Sequence, residues 1–214
     1  MRANSGRLVR FDQNIRPNYG LLLAGVDEAG RGCWAGPVVA AAVILPADWE
    51  PAELDDSKRL RHTQRTTLYN EIRQSALAWS ACAVSAADID SLNILQATLL
   101  AMSRAIARLH PTPDLVLVDG LQLPSLPCPG RAIVGGDGKS AAIAAASIIA
   151  KVLRDRVMCT WDRYHPGYGF AAHKGYGSAD HRAALQRLGP CPLHRQSYRP
   201  IANLRQSRLW NESR

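Results

Sequence analysis

The stretch LLLAGVDEAGRG (21–32) decides the fold of this chain, because it is an apolar run that ends in two acids, Asp27 and Glu28. A glycine-rich connection then leads to a second β-like run, GPVVAAAVIL (36–45). Both runs have the length and composition of buried strands. The sequence therefore predicts a hairpin of two buried strands, with the acidic pair at the end of the first.

The remaining elements follow from hydrophobic periodicity and from turn residues. We expect helices over 57–77, 93–109, 141–164 and 178–189, and strands over 78–86, 114–120 and 131–137. Ser140 and Ser178 are the expected N-caps of the last two helices. This order of strands and helices predicts an α/β fold with a mixed sheet rather than an all-parallel one.

Length and composition limit the class of protein. A chain of 214 residues, 47% of them hydrophobic, fits one globular domain that needs no cross-links. The five cysteines are scattered and form no CxxC pair, which disfavours a zinc site or a disulfide framework and favours a cytoplasmic location. The N-terminus lacks the apolar core of a signal peptide, and no run could span a bilayer, so no membrane partner is expected. Nothing in the sequence requires more than a monomer.

The net charge of +8 is unevenly distributed along the chain. Residues 1–150 carry 14 basic and 14 acidic side chains, whereas residues 151–214 carry 12 basic and 4 acidic ones. A basic excess confined to the last third favours a polyanionic partner. A solvated basic surface without a partner remains the alternative.

Three acids lie at the ends of hydrophobic runs: Asp27, Asp119 and Asp137, and Glu28 adjoins the first of them. A buried charge is costly unless it is paired or bound to metal. If the strands are neighbours, these acids meet in one crevice of the sheet, where α/β folds bind ligands. Such a cluster favours Mg²⁺ or Mn²⁺, two of which can stabilise an in-line phosphoryl displacement. Aspartates that only cap turns remain the alternative.

Two other patterns match known sites less well. GGDGKS (135–140) resembles the end of a P-loop, but Ile133 stands where that pattern needs its first glycine, which disfavours an NTPase. His165, His173 and His181 recur every eight residues, which is not a helical spacing for metal ligands. We therefore expect no zinc site and interpret these histidines as polar loop residues.

Longer motifs carry a family resemblance over about residues 21–200. They are GVDEAGRGCWAGPVVAAAVIL (25–45), DSKRL (56–60), LNILQATLLAM (92–102), LVDG (117–120), GGDGKSAAIAAASIIAKVLRD (135–155), YGFAAHKGYGS (168–178) and HRQSYRP (194–200). In these motifs and in their order the chain resembles ribonuclease HII, the type 2 bacterial ribonuclease H. The resemblance implies a ribonuclease H-like fold, with a mixed five-stranded sheet flanked by helices and a C-terminal helical extension. It divides the chain into an N-terminal extension (1–20), a catalytic domain (21–200) and a basic tail (201–214).

The resemblance also implies roles for individual residues. The four metal-binding, catalytic carboxylates fall on Asp27, Glu28, Asp119 and Asp137. The residues implied to bind substrate are Gly30, Arg31 and Gly32, which sense the ribonucleotide, Tyr176, which packs on a neighbouring sugar, and Lys58, Ser147 and Lys151, which contact phosphate. Glycines allow backbone to approach a sugar closely, and the 2′-hydroxyl is the group that distinguishes RNA from DNA. Asp155 is expected to pair with a nearby arginine.

The activity that the resemblance implies is endonucleolytic. Such an enzyme would cut the RNA strand of RNA–DNA hybrids and would incise 5′ of ribonucleotides embedded in duplex DNA. It would use two divalent ions, Mn²⁺ or Mg²⁺, and would leave 3′-hydroxyl and 5′-phosphate ends. Two alternatives stay open at this point. A non-catalytic nucleic-acid-binding module leaves the acids unexplained, and a resolvase or exonuclease of the same fold has no need of Gly30-Arg31-Gly32 with Tyr176.

Overall fold

The computed structural model describes residues 2–19, 22–49, 51, 54 and 60–204. Its helices are α1 (Arg2–Tyr19), α2 (His62–Ser75), α3 (Ala86–Leu92), α4 (Ile94–Ile106), α5 (Ala141–Tyr164), α6 (Phe170–His173) and α7 (Ala179–Leu188). Its strands are β1 (Leu23–Ala29), β2 (Val38–Ile44), β3 (Ala78–Val84), β4 (Leu115–Asp119) and β5 (Gly130–Ile133). A 3-10 turn over Gly136–Gly138 lies between β5 and α5.

The five strands form one sheet in the order β3-β2-β1-β4-β5. The central strand β1 pairs antiparallel with β2 and parallel with β4, and β5 continues the parallel half. The predicted mixed five-stranded sheet is therefore confirmed. Because side chains alternate across a strand, Ala41 and Val43 face one side of the sheet and Ala40 and Ala42 face the other.

Helices cover both faces of this sheet. Helix α5, capped by Ser140 as predicted, packs with α2 and α1 on one face, and α4 covers the other. The approach of α5 to β1 requires a glycine, because a Cβ at Gly25 would lie 2.0 Å from the carbonyl carbon of Ala142. The second half of α5 supports α6, α7 and a helical turn over 199–204, where Met158, Phe170 and Ile201 are buried together.

The N-terminal segment forms a helix that the sequence did not predict, because few of its residues are apolar. Leu8 is fully buried, the Asp12 carboxylate accepts a hydrogen bond from the Ala142 amide at 2.8 Å, and Arg16 donates to the Leu45 carbonyl at 2.8 Å. Helix α1 therefore packs against the start of α5 and against the sheet. The domain limits at residues 20 and 200 stay predictions, and 205–214 lie outside the described residues.

Other differences are local. Helix α2 is shorter than predicted, so Leu77, the last residue of the predicted range, lies beyond its end and is exposed. The short helix α3 precedes α4 and was missed. The five cysteines are all free. Among the residues that the structure describes, no helix combines the length and the apolar character that crossing a bilayer requires.

Candidate active site

Two of the predicted acids meet where the parallel pairing of β1 with β4 ends. Val26 pairs with Val118 as the last register of that ladder, and Asp27 and Asp119 come directly after. Asp27 lies within β1 rather than at its end, opposite Ala41 of β2, and is only 4% exposed. We call Asp27, Glu28 and Asp119 the acidic edge. The sheet topology, and not a local turn, brings these three carboxylates together.

The carboxylates of the acidic edge repel one another in a buried position. Burial raises the pKa of Asp27 well above its usual value, and the charges of Glu28 and Asp119 raise it further. Burial also raises the pKa of Glu28, although the Arg31 guanidinium opposes that shift. Such unrelieved repulsion is typical of sites that bind a cation or perform acid–base chemistry.

Each carboxylate of the acidic edge is held by a local donor. The Asp27 carboxylate accepts from the Glu28 amide at 2.7 Å, and Ser147 also hydrogen-bonds to it. Glu28 pairs with Arg31 at 3.3 Å, and Asp119 accepts from the Gly136 amide at 2.6 Å. In this arrangement the described residues contain no group of three or more His, Cys, Asp or Glu side chains that is placed to hold a metal ion.

The fourth predicted acid, Asp137, occupies a different kind of position from the one expected. Strand β5 ends at Ile133, and Asp137 lies on the 3-10 turn that follows, where it is buried. The same turn carries Gly136, which donates to Asp119. Asp137 is therefore beside the acidic edge, although it was wrongly interpreted as the end of a strand.

The connection between β1 and β2 forms the second wall of the site. Gly30 has a φ of +98°, and a Cβ there would lie 1.9 Å from Nε of Arg154, so the fold itself requires glycine at this position. Gly32 differs, since an added Cβ there meets none of the described atoms within 4 Å and its backbone is unstrained. The fold does not demand glycine at residue 32.

Tyr176 and Lys151 complete this wall. Tyr176 is 45% exposed, and Lys151 Nζ lies 5.6 Å from the centroid of its ring. Lys151 also pairs with Asp155 at 2.8 Å, so the expectation that Asp155 pairs with an arginine was wrong. The Tyr176 side chain contacts Cys33, whose burial raises the pKa of the thiol.

A cleft of about 220 Å³ opens between the acidic edge and the loop that carries Gly30 and Gly32. Nine of the eleven predicted site residues line it: Asp27, Glu28, Gly30, Arg31, Gly32, Asp119, Ser147, Lys151 and Tyr176. Asp137 lies beside it rather than in its lining, and Lys58 lies outside the described residues. Three of the four predicted carboxylates and six of the seven predicted substrate contacts thus converge from four separate segments of the chain.

Two buried arginines that the sequence reasoning missed hold the loop in place. Arg195 is fully buried and donates to the carbonyls of Gly30, Arg31 and Gly36 at 2.7 to 3.1 Å. Arg154, also fully buried, donates through its three nitrogens to three more carbonyls, those of Ala35, Pro37 and Lys174. One clue was available for Arg154, because it lies four residues from Ala150 and from Met158 on the buried face of α5.

The interpretation of the histidines as polar loop residues was wrong for two of the three. His181 is fully buried and His173 is half-buried; their rings lie against each other, and the His181 ring also lies against His194. The prediction that there is no zinc site is not tested by this arrangement.

The P-loop alternative finds no support, because the groups that would bind phosphate are already engaged. Ser140 caps α5, Lys139 donates to the Val134 carbonyl, and the Ala142 amide in the first turn of α5 donates to Asp12.

Comparison with known proteins relates the whole domain to one family. The family model for ribonuclease HII matches residues 24–201. The chain is 52% identical over 191 residues to ribonuclease HII of Syntrophotalea carbinolica, covering 89% of this chain and 91% of that protein. It is 53% identical over 186 residues to ribonuclease HII of Halorhodospira halophila, covering 85% and 94% respectively.

Solved structures show the same fold. Ribonuclease H2 from Pyrococcus horikoshii superposes with a TM-score of 0.74 at 24% identity, covering 87% of this chain and 98% of that one. Bst-RNase HIII, solved in complex with Mn²⁺, gives a TM-score of 0.72 at 17% identity and covers 87% and 70%. The ribonuclease H-like fold is confirmed by these likenesses. Because the family model matches most of the chain and the relatives align over nearly its whole length, the chain belongs to the ribonuclease HII family. It is a ribonuclease H, an endonuclease that hydrolyses phosphodiester bonds.

Proposed function

We propose that the chain cuts the RNA strand of RNA–DNA hybrids and incises duplex DNA on the 5′ side of an embedded ribonucleotide. The observation that carries this proposal is that the acidic edge and the loop with Gly30 and Gly32 line one cleft. A phosphate that reacts at the carboxylates would bring its neighbouring sugar against the loop. Chemistry and recognition of the sugar would then act on the same nucleotide.

The acidic edge fits a divalent cation. Burial and mutual repulsion raise the pKa values of Asp27 and Glu28, and the charge of a bound cation would offset both effects. An all-oxygen donor set suits Mg²⁺ or Mn²⁺. Asp27, Glu28, Asp119 and Asp137 would hold the ions. When bound, two such ions would stabilise the charge on the attacking and leaving oxygens of the reaction. The products would carry 3′-hydroxyl and 5′-phosphate ends.

The cationic side chains near the cleft would orient the phosphate backbone. Arg31 has a half-exposed side chain, and the ion pair described for it is with Glu28. If Arg31 left Glu28 to bind a phosphate, the charge of its guanidinium would stay compensated. Lys151 pairs with Asp155 and faces the Tyr176 ring. The sequence resemblance implied that Ser147 contacts phosphate. Because Ser147 hydrogen-bonds to Asp27, we propose that it also orients that carboxylate.

The loop would recognise the ribose. Open space beside Gly32 lets a sugar come against the backbone, where a 2′-hydroxyl can donate and accept hydrogen bonds. The exposed face of Tyr176 lies across the same cleft and would pack on the adjacent sugar. A deoxyribose has no group to make these hydrogen bonds, so the loop would discriminate against DNA.

The test is a 5′-labelled DNA duplex with a single ribonucleotide, incubated with a titration of Mg²⁺ or Mn²⁺ beside an all-DNA duplex and a long RNA–DNA hybrid. We expect a single incision 5′ of the ribonucleotide, cutting of the hybrid, and no cutting of DNA. Comparable cutting of the all-DNA duplex would instead favour another nuclease activity on this fold. Absence of incision with every metal tested would contradict the proposal.

A further inference from the structure

Three histidines lie in a stack directly behind the segment that carries Tyr176. The rings of His173 and His181 are 4.3 Å apart and nearly parallel, and those of His181 and His194 are 5.2 Å apart. The three residues come from α6, α7 and the segment before residue 199. We call them the histidine stack. The nuclease chemistry proposed above makes no use of it.

The hydrogen bonds of His173 fix its tautomer. Its Nδ1 accepts from the Gly175 amide at 3.1 Å, so Nδ1 carries no proton. Its Nε2 is therefore protonated and donates to the Tyr168 carbonyl at 2.8 Å. The neutral ring thus ties the residue before Tyr176 to the start of the same loop.

The other two histidines form a directed chain. A carbonyl can only accept, so His181 Nδ1, 2.9 Å from the Tyr176 carbonyl, must carry the proton and donate. His181 Nε2 is then the acceptor for His194 Nε2, 3.0 Å away. His194 Nδ1 is left without a proton and accepts from the Cys191 amide at 2.9 Å, so its 3.2 Å approach to the Cys191 carbonyl is not a hydrogen bond. One run of hydrogen bonds therefore leads from the Cys191 amide to the Tyr176 carbonyl.

Burial agrees with these tautomers. His181 and His194 are at most 1% exposed, and burial lowers the pKa of each to about 4. Both rings are therefore neutral at neutral pH, as the chain of hydrogen bonds requires. A proton on either ring would leave two N–H groups facing each other.

Backbone strain shows why the Tyr176 segment needs such support. Lys174 and Gly175 both have positive φ, and a Cβ at Gly175 would lie 2.4 Å from the Ala35 carbonyl oxygen. The Gly175 carbonyl accepts from the Trp34 amide at 2.8 Å, next to the loop that holds Gly32. The position of this segment relative to the sugar-facing loop is thus set by the contacts around it.

From this geometry we infer that His181 and His194 are positioning residues that hold the Tyr176 peptide, and through it the ring, in the orientation that recognises a ribonucleotide. This inference rests on the proposed function, because it assumes that Tyr176 packs on substrate. His181 acts directly on the Tyr176 carbonyl. His194 acts through His181, by keeping the acceptor face of that ring occupied.

A double-mutant cycle tests the inference. His181→Leu removes the donor to the Tyr176 carbonyl, whereas His181→Asn keeps an amide N–H near the position of Nδ1. We expect His181→Leu to lower kcat/KM on the single-ribonucleotide duplex about tenfold, as misplacement of a substrate-contacting group does. His181→Asn should recover most of that loss. In a Tyr176→Ala background, His181→Leu should cost less than about twofold, because the residue it positions is gone.

Controls separate this inference from folding and from the proposed function. His62→Gln changes an exposed histidine of α2 and should leave kcat/KM unchanged, and thermal unfolding of each variant reports its folding. If His181→Leu does not fold, His194→Leu replaces it in the cycle, since it removes the donor to His181 Nε2. If Tyr176→Ala is impaired and the histidine variant costs the same factor in both backgrounds, the inference alone fails. If Tyr176→Ala cuts like the unmodified chain, the proposed role of Tyr176 fails and the inference fails with it.

Discussion

The acidic edge and the histidine stack are both clusters of buried ionisable side chains, yet they are built in opposite ways. At the acidic edge, Asp27 lies among like charges that raise its pKa. In the histidine stack every ring nitrogen has an assigned partner, and the rings stay neutral. The difference teaches that buried groups in mutual conflict mark where a ligand binds, whereas buried groups that satisfy one another mark the support behind it.

The largest expected effect comes from removing a charge at the acidic edge. Asp27→Asn should lower the rate of incision by about 10³-fold, since it removes a ligand for the ions that stabilise the reaction. Without divalent ions the same variant should unfold at a higher temperature than the unmodified chain, because a buried repulsion has been removed.

Asp180→Asn is the matched control for this prediction, because Asp180 is an exposed acid in the first turn of α7. It should leave incision unchanged and should lower the unfolding temperature only slightly, through the loss of an acid from the first turn of the helix. Divalent ions should stabilise the unmodified chain by about 2.7 kcal/mol at a hundred times their dissociation constant, and much less after Asp27→Asn. Equal stabilisation of both proteins would place the ions elsewhere.

Two glycines of the same loop should separate fold from function. Gly30→Ala should destabilise the domain by about 3 kcal/mol, because it forces a Cβ against Arg154 in a positive-φ conformation. Gly32→Ala should leave the unfolding temperature unchanged, yet lower kcat/KM on the single-ribonucleotide duplex by about 10²-fold through loss of close approach to the sugar. Denaturant unfolding and incision assays on both variants check this. Undiminished cutting by Gly32→Ala would contradict the assignment of the loop.

The smallest expected effect is on the pH dependence of stability, and it has opposite signs in two places. His181 has a folded pKa of about 4, so as the pH falls the unfolded chain binds the proton before the folded chain does. The contribution of His181 to the free energy of unfolding is therefore present above about pH 6.5 and is lost as the pH falls towards 4. For Asp12, burial raises the pKa to about 6, so the folded chain binds the proton first and its contribution is lost as the pH rises from about 4 to 6.

Unfolding curves between pH 4 and 7 should therefore respond in opposite directions to two substitutions. His181→Asn should flatten the fall in stability towards low pH, and Asp12→Asn should steepen it, each by up to about 1.4 kcal/mol per pH unit. A shift of the same sign in both variants would mean that one of the two groups is not buried as described.

The strands and the acids of the central hairpin were predictable because their pattern is local. An apolar run that stops at Asp27 and another that stops at Asp119 are visible in the sequence, and parallel pairing then brings their ends together. The position of Asp137 was less predictable, since a glycine-rich 3-10 turn has no periodicity that separates it from the strand before it.

The supports of the site were not predictable in the same way. Helix α1 is mostly polar and owes its place to tertiary contacts of Leu8, Asp12 and Arg16. His173, His181 and His194 meet because the three segments that carry them fold against α5. The spacing of these histidines along the chain does not predict that they meet. Local patterns reveal residues that act at strand ends, and they miss residues that act by holding other residues in place.

The bonds from Arg195 to Gly30 and Arg31 join positions more than 160 residues apart. During synthesis, the loop with Gly30 and Gly32 is made more than 160 residues before the guanidinium that fixes its carbonyls. A nascent chain can therefore assemble the sheet and its acids before it can hold that loop in its final shape. On the proposed function, discrimination between RNA and DNA therefore waits until Arg195 has been made.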